Sequence, residues 1–302
     1  MQPGGGASAV GYAFNQAQRL KELHADVAVV LDRSPLIGLI TMLAGIPIRV
    51  GIDSAGRGFA LTNRVPIIHQ KHEADLYLEV AQSLNGGASS FPLAFTLPEM
   101  DRKWAKETLA DGDWIALHPG GGVNPGSTLT GKRWPLEKFH ELANRLMRYG
   151  YNVALLGGPQ DVEAAESIQD RTLFVGDGEA QDGQLRSFAG ATSFNQTGAL
   201  LEQCRAFVGN DTGTMHLAVA VGTPTVAVFG PSKPPVYRPY SSNSRVIYHG
   251  EECTGCAFRG GLVTDCRHNF ACIAAATVDE VWVALTALLK EQTPGTRLTR
   301  NA

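Results

Sequence analysis

The sequence predicts an α/β protein made of two domains, each containing a parallel sheet covered by helices. The chain of 302 residues is longer than one average domain and suits two. Apolar runs of strand length alternate with segments of helical periodicity, and glycine-rich turns follow several of these runs. This alternation is typical of parallel sheets with helices on both faces. Apolar residues make up 44% of the chain and charged residues 18%, so a large core is available.

The first domain is assigned to residues 1–92. Apolar spacing predicts helices over 12–24, 35–44 and 73–84, and apolar runs predict strands over 25–32, 46–51 and 65–69. Glycine, serine and proline are frequent after residue 85, and no pattern is sustained up to residue 112. Residues 93–112 are therefore interpreted as an interdomain linker.

The second domain is assigned to residues 113–302, where the alternation is more regular. Strands are predicted over 114–118, 152–156, 172–175, 206–209 and 225–229. Helices are predicted from Pro135 onward and over 161–169, 197–204 and 214–221. Thr277 and Glu280 have the spacing of a capping box ahead of a final helix that runs to Lys290.

The strongest candidate site is the segment 209–216, which runs from a predicted strand into a short helix. The amides at the helix start, with the hydroxyls of Thr212 and Thr214, are suited to a diphosphate. Gly213 lets a ligand approach the backbone closely, and His216 can donate a hydrogen bond to a phosphate oxygen. The alternative for this segment is structural, with Asp211 as a helix N-cap and His216 as an ordinary surface histidine.

Two further segments follow strands that end at the same edge of the sheet. In 229–235, a rigid turn carries the hydroxyl of Ser232 and the cation of Lys233. In 118–122, Gly120 and Gly121 permit close backbone approach, and Lys132 or Arg133 can neutralise phosphate charge. The ordinary alternative for the glycine-rich segment is a plain strand-to-helix turn.

The run DTGTMHLAVAVGTPTVAVFGPSKP, with HPGGG and KRWP upstream, resembles glycosyltransferase family 9. This family contains the ADP-heptose:lipopolysaccharide heptosyltransferases and their relatives. The resemblance extends from Asp113 to the C-terminus and is weaker over 19–84. It implies the GT-B architecture, in which the N-terminal half binds the acceptor and the C-terminal half binds the nucleotide-sugar donor. It also implies that the final helix returns to the first domain.

The resemblance assigns donor-binding roles to individual residues. Lys132 would bind the donor phosphate or sugar, and Thr212, Gly213 and His216 would hold the diphosphate. Asp211 would orient that loop or the sugar. The implied activity is inverting transfer of a heptose-like sugar from ADP-heptose to lipopolysaccharide or a related glycan, without a metal or another cofactor.

The beginning of the chain departs from the family pattern. Family members begin with a strand and a Gly-Asp turn whose aspartate is the proposed general base, whereas this sequence begins MQPGGG. The first domain is therefore expected to lack its first strand, and the catalytic residue is unassigned. Asp53 and His72 are weak substitutes. The alternatives are a transferase for another nucleotide sugar and a non-catalytic nucleotide-sugar-binding relative.

Charge and hydropathy limit the partners. The formal net charge of −3 gives no reason to expect nucleic-acid binding. No apolar run reaches the ~18 residues that a membrane helix needs, and no secretory signal is recognisable. A cytoplasmic protein is predicted, with the inner face of the membrane as an option because a lipid-linked acceptor would favour peripheral contact.

Four of the five cysteines fall close together at Cys253, Cys256, Cys266 and Cys272. In a cytosolic chain this clustering indicates metal binding or reduced structural thiols before disulfides. The last two are spaced more widely than in most zinc modules, so a structural role without metal is favoured. Cys204 is predicted to be buried and inert.

Overall fold

The computed structural model describes residues 6–67, 71–84, 92–110, 112–124, 127–173, 183–250, 266 and 268–292. The chain divides into two compact units, Met1–Phe91 and Pro92–Ala302. No helix among the described residues is both long and apolar enough to cross a membrane.

The described part of the first unit has three helices and a parallel sheet of order β1-β2-β3. Its elements are α1 (Gly6–Lys21), β1 (Val27–Val30), α2 (Pro35–Leu43), β2 (Ile48–Asp53), β3 (Asn63–Pro66) and α3 (Glu73–Gln82). Helix α2 begins where predicted because Pro35 occupies its first turn and Ser34 Oγ accepts a hydrogen bond from Leu36 N. The first described element is a helix, and no strand precedes β1 among the described residues.

The second unit contains a larger number of elements, numbered on in chain order. Its helices are α4 (Glu99–Thr108), α5 (Leu136–Arg148), α6 (Val162–Leu173), α7 (Phe194–Gln203), α8 (Gly213–Ala220), α9 (Pro234–Tyr237), α10 (Ala271–Ala274) and α11 (Val278–Glu291). Its strands are β4 (Trp114–His118), β5 (Val123–Asn124), β6 (Ser127–Thr128), β7 (Asn152–Leu155), β8 (Leu185–Ser187), β9 (Ala206–Asn210), β10 (Thr225–Phe229) and β11 (Ser244–Tyr248).

The main sheet of the second unit has the order β11-β10-β9-β4-β7-β8, with every pair parallel. Counted from β4 in chain order, this is the arrangement of a doubly wound dinucleotide-binding sheet. The strands are added in one direction from β4 to β8, and then in the opposite direction from β9 onward. A crevice opens at this switch point beyond the carboxyl ends of β4 and β9, where His118 lies opposite Gly209.

Helices cover both faces of this sheet and bury its central strands completely. Phe139, Leu142 and Leu146 of α5 pack on one face, together with α11. The capping box of α11 is confirmed, since Thr277 Oγ1 accepts from Glu280 N and the Glu280 carboxylate accepts from Thr277 N. Each fully buried Leu or Phe side chain stabilises the fold by about 1.5–3 kcal/mol relative to exposure.

Several predictions about local structure need correction. The predicted linker contains helix α4, whose Ala105 is buried in the core of the second unit with Leu97 and Leu109. Its sequence EMDRKWAKET is mostly polar, so it shows little apolar periodicity. Thr172, predicted to begin a strand, lies in the last turn of α6 instead. Strands β8 and β11 were not predicted, because they are edge strands whose partly exposed positions carry polar residues.

The final helix packs against β9, β10, β11 and α5 of its own unit. Its predicted contact with the first domain stays a prediction. Cys204 ends α7 as its C-cap, and burial raises the pKa of its thiol to about 12. The thiol therefore stays protonated and unreactive, as expected for core packing.

Candidate functional site

A cleft of about 530 Å³ lies at the switch point of the second unit's sheet. It is bounded by the loops that follow β4, β7 and β9 and by the first turns of α7 and α8. Its lining residues are His118, Gly121, Gly122, Lys132, Gly157, Gly158, Gln160, Asp161, Thr192, Phe194, Thr197, Asp211, Thr212, Gly213, Thr214, His216 and Leu217.

Asn210, the last residue of β9, forms hydrogen bonds with two separate segments beneath the cleft. Its side chain is completely buried. Its amide nitrogen donates to the carbonyl oxygens of Pro119 and Gly120 at 3.1 and 3.0 Å, and its amide oxygen accepts from Trp134 N at 3.0 Å. One side chain therefore holds the glycine-rich loop and the start of the α5 segment against β9.

The N-terminus of α8 points its unpaired amides toward the cleft. Thr212 is the N-cap residue with extended backbone, and its side chain makes no capping hydrogen bond. The first amides of an α-helix have no partner within the helix and carry the positive end of the helix dipole. A Cβ atom placed on Gly213 would meet no atom within 4 Å, and Gly213 and Thr214 both line the cleft, so open space lies beside this helix start. This arrangement suits an anion.

Lys132 and Asp211 form an ion pair on the wall of the same cleft. Lys132 Nζ donates to Asp211 Oδ2 at 2.7 Å, and the side chains are 18% and 7% exposed. Lys132 ends a 3₁₀ turn, Thr130–Lys132, that lies between β6 and α5. The pair holds an ammonium group close to the helix N-terminus, where it can meet the charge of a bound phosphate.

Asp161 organises the loops on the other side of the cleft. Its carboxylate accepts from Gly121 N at 3.1 Å and from Gly158 N at 3.0 Å, and Oδ2 lies 3.3 Å from His118 Nε2. Burial alone would raise the pKa of Asp161, but the hydrogen bond with His118 and those from the two amides outweigh it and lower the pKa to about 2. The group is therefore a carboxylate throughout the physiological pH range.

Gly120 and Gly121 are required by close packing. A Cβ atom on Gly120 would lie 2.0 Å from Asp161 Oδ1, and one on Gly121 would lie 2.0 Å from the Thr212 methyl group. Gly121 also has a φ of +100°, which side-chain-bearing residues rarely adopt. These glycines let the loop after β4 pass between Asp161 and Thr212, which brings three loops to one cleft.

The predicted donor-binding residues have different positions in this arrangement. Those that line the cleft together are Gly121, Lys132, Asp211, Thr212, Gly213, Thr214 and His216. Gly120 lies under the cleft against Asp161 and does not line it. Ser232 does not line it either; it is buried, and its hydroxyl has no hydrogen-bond partner among the described residues. The alternative of Asp211 as an N-cap is wrong, because Thr212 holds that position.

Sequence reasoning missed several residues of the site. Asn210 stands directly before Asp211, and its position at the end of a buried strand was the available signal. Thr192, Phe194 and Thr197 reach the cleft from the start of α7, where Ser193 and Gln196 form a capping box. Because of that capping box, the helix begins at Phe194, three residues before the predicted start at Thr197.

The weaker candidates have identifiable structural partners in the first unit. Asp53 Oδ1 accepts from Gly58 N at 3.0 Å, and the buried His72 caps α3 by accepting from Ala74 N through Nδ1 at 3.1 Å. Among the clustered cysteines, Cys266 and Cys272 are both partly buried, whereas Cys253 and Cys256 lie outside the described residues. In the described part of the chain, no three His, Cys, Asp or Glu side chains form a group suited to a metal ion.

Two α/β units with parallel sheets and a cleft at a switch point define a protein of the GT-B fold class, and solved structures agree. The structure of E. coli ADP-heptose LPS heptosyltransferase II matches with a TM-score of 0.70 and 26% identity, covering 94% of this chain and 82% of that one. A family 9 glycosyltransferase from Veillonella parvula matches with a TM-score of 0.72 and 22% identity, covering 95% and 80%. At 22% identity, the similarity to the Veillonella protein concerns the fold alone.

Residues 13–262 match the family described as glycosyltransferase family 9 (heptosyltransferase), and the chain belongs to that family. Lipopolysaccharide heptosyltransferase 2 of Escherichia coli K12 is 31% identical over 260 residues, covering 82% of this chain and 72% of that protein. The protein of the same name from Salmonella typhimurium LT2 is 32% identical over 261 residues, with the same coverage. The chain is thus related to glycosyltransferases over most of its length.

Proposed function

We propose that this chain is an inverting glycosyltransferase that moves a heptose-like sugar from ADP-heptose to lipopolysaccharide or a related glycan acceptor. The observation that carries the proposal is the convergence of the α8 N-terminus and the Lys132–Asp211 pair on one open cleft. The names of the related heptosyltransferases support the choice of sugar and acceptor.

The cleft residues have complementary roles in this proposal. Negative charge develops on the nucleoside diphosphate as the sugar leaves it, and groups already aimed at that charge lower the barrier. The amides of Gly213 and Thr214 and the ammonium of Lys132 supply such stabilisation without a metal. Asp211 orients Lys132 by accepting its hydrogen bond, and the other oxygen of Asp211 is proposed to accept from a sugar hydroxyl. The acceptor hydroxyl needs a general base.

The nucleobase is proposed to lie near Phe194, at the α7 side of the cleft. The ring of Phe194 is 60% exposed, although it is large and apolar. It is supported from one side by Phe95, whose ring centroid is 5.4 Å away in an edge-to-face contact. An exposed but supported ring offers a surface on which a base can stack.

Calorimetric binding of ADP, UDP and GDP to the intact chain tests the donor site. We expect ADP to bind most tightly, and Lys132→Met and His216→Ala to weaken binding at least tenfold, about 1.4 kcal/mol. Lys103→Met is the matched control, since Lys103 is an exposed residue of α4 that does not line the cleft. Equal weakening in Lys103→Met, or no nucleotide binding by the unaltered chain, would contradict the proposal.

Transfer is tested separately with ADP-heptose and a heptose-deficient lipopolysaccharide acceptor. Inversion predicts that the product has the opposite anomeric configuration to the donor, which NMR of the product measures. Tight binding of ADP without transfer would favour the non-catalytic relative. Transfer from another nucleotide sugar, with none from ADP-heptose, would favour the transferase of different donor specificity.

We propose further that the protein acts in the cytoplasm, in peripheral contact with the inner face of the membrane that carries its acceptor. The support is the lipopolysaccharide named for the relatives, because that acceptor is lipid-linked. Sedimentation with phospholipid vesicles, with and without embedded acceptor, tests this contact. Binding only when acceptor is present would assign the contact to the acceptor alone.

A further inference from the structure

His118 lies between two side chains that belong to different loops of the second unit. Its Nδ1 atom is 3.2 Å from Thr212 Oγ1, and its Nε2 atom is 3.3 Å from Asp161 Oδ2. The side chains of His118 and Asp161 are 3% and 2% exposed, whereas Thr212 is partly exposed in the cleft. The imidazole therefore connects a buried carboxylate to a hydroxyl that faces the ligand space.

The carboxylate determines which nitrogen of His118 carries hydrogen. Ionised Asp161 has no hydrogen to donate, so His118 Nε2 must be the donor between them. In a neutral imidazole the other nitrogen is then an acceptor. The Thr212 hydroxyl must donate its hydrogen to Nδ1, and it presents only lone pairs to the cleft. Such a hydroxyl repels a phosphate oxygen.

A second proton on His118 reverses this last hydrogen bond. Nδ1–H then donates to Thr212 Oγ1, and the hydroxyl hydrogen is free to turn toward the ligand. We propose that His118 takes up a proton from solvent when a nucleoside diphosphate enters the cleft, and that this proton converts the Thr212 hydroxyl into a donor to a phosphate oxygen. The inference rests on the proposed function, because that function supplies the diphosphate.

The charges around the cleft favour this uptake. Within the part of the chain that the structure describes, the charged and titratable side chains that line the cleft are Lys132, Asp211, Asp161, His118 and His216. One ammonium and two carboxylates leave a formal charge of −1 while both histidines are neutral. A diphosphate adds negative charge, so a proton on a neighbouring imidazole becomes more favourable. The proton is released to solvent when the nucleotide leaves.

The uptake also discriminates between donor and product. The diphosphate of a nucleotide sugar is esterified at both ends, whereas the departing nucleoside diphosphate has a free terminal phosphate and one more negative charge. His118 is a positioning residue in this account, because it acts through the Thr212 hydroxyl. Its proton favours the state in which the sugar–phosphate bond has broken.

Nitrogen NMR of the histidine rings in the unaltered protein tests the account directly. His118→Gln assigns the resonance, and the Nδ1 and Nε2 shifts report which nitrogen carries hydrogen. We expect hydrogen on Nε2 alone in the free protein and on both nitrogens after ADP is added. Hydrogen on Nδ1 alone in the free protein, or no change on ADP binding, would overturn the inference.

Calorimetry supplies the matched test with variants. Binding of ADP is measured in buffers of different ionisation enthalpy at mildly alkaline pH, where the terminal phosphate of ADP is already ionised. We expect proton uptake by the unaltered chain and by His216→Gln, and none by His118→Gln, whose amide imitates neutral imidazole. Affinity should fall by up to about tenfold per pH unit in the unaltered chain and stay flat in His118→Gln.

The outcomes separate the inference from the function on which it rests. Proton uptake that persists in His118→Gln and disappears in His216→Gln would assign the proton to His216 and overturn the inference alone. Binding without any uptake would do the same. Failure of ADP to bind the unaltered chain would refute the proposed function, and the inference with it.

Discussion

Replacing Asp161 with asparagine should destabilise the second unit, and the lowered pKa of the carboxylate gives the order of magnitude. The folded protein lowers this pKa from 3.8 to about 2. Each pKa unit corresponds to about 1.4 kcal/mol, so the carboxylate contributes about 2 kcal/mol at neutral pH. Asparagine keeps the size of the side chain. Its N–H group, however, would point toward a donor that meets a carboxylate oxygen in the unaltered chain. The loss is a large part of a typical stability of about 5–15 kcal/mol.

Tryptophan fluorescence during urea unfolding measures this loss of stability in the second unit of the chain. All four tryptophans, at positions 104, 114, 134 and 282, belong to the second unit. With a slope of about 1–3 kcal/mol per molar urea, Asp161→Asn should lower the midpoint by about 1–2 M. Asp279→Asn is the matched control, because its carboxylate is 83% exposed and pairs with Arg145 at the surface. Such a pair contributes at most about 1 kcal/mol.

The pH dependence of the unfolding midpoint tests the same prediction in a second way. A depressed carboxylate pKa stabilises the fold above the unfolded value of 3.8, and this contribution is lost as the pH falls through about 2. The difference between the unaltered chain and Asp161→Asn should therefore narrow below pH 4. A change in midpoint no larger than that of Asp279→Asn, at neutral pH, would refute the reasoning.

Three other substitutions test separate parts of the structure. Gly213→Ala should leave the urea midpoint unchanged, since the added Cβ atom meets nothing within 4 Å. It should weaken ADP binding about tenfold, because the methyl group would occupy open space beside the helix amides. Unchanged affinity in calorimetry would place the phosphate elsewhere. Asn210→Ala should lower the free energy of unfolding by about 3 kcal/mol or more, because three buried backbone groups lose their hydrogen-bond partner. A decrease under about 1 kcal/mol in urea unfolding would show that water replaces the amide. Thr277→Ala should lower the free energy of unfolding by about 1 kcal/mol through loss of the α11 cap, with ADP affinity unchanged. Weakened ADP binding would show that α11 contributes to the site.

Much of the second unit was predictable because its sequence patterns and its packing agree. The strands that begin at Trp114 and Thr225 have the predicted bounds, since each is a short run of apolar residues buried on both sides. Helix α8 was predictable because a short apolar segment follows the glycine- and threonine-containing turn after β9. The edge strands and α4 were not, because their positions depend on neighbours that are distant in sequence.

The links within the site could not be read from the sequence. Asp161 stands at the start of a predicted helix, and this position does not reveal that its side chain meets His118, 43 residues away. Asn210 is an ordinary polar residue until the fold places the Gly120 carbonyl and Trp134 N beside it. Such contacts arise from the strand order, which single-sequence patterns do not encode.

The switch point also has a consequence for the order in which the protein folds. The two sides of the cleft come from segments far apart in the chain, since Thr212 follows His118 by 94 residues. Strands β4 and β7 can pair early during synthesis, but β9 must emerge from the ribosome before the glycine-rich loop has its anchor. Closing so long a loop is entropically costly and slows folding. Nucleotide in the cell can therefore stabilise only the completed unit, by mass action after the last long-range pairing has formed.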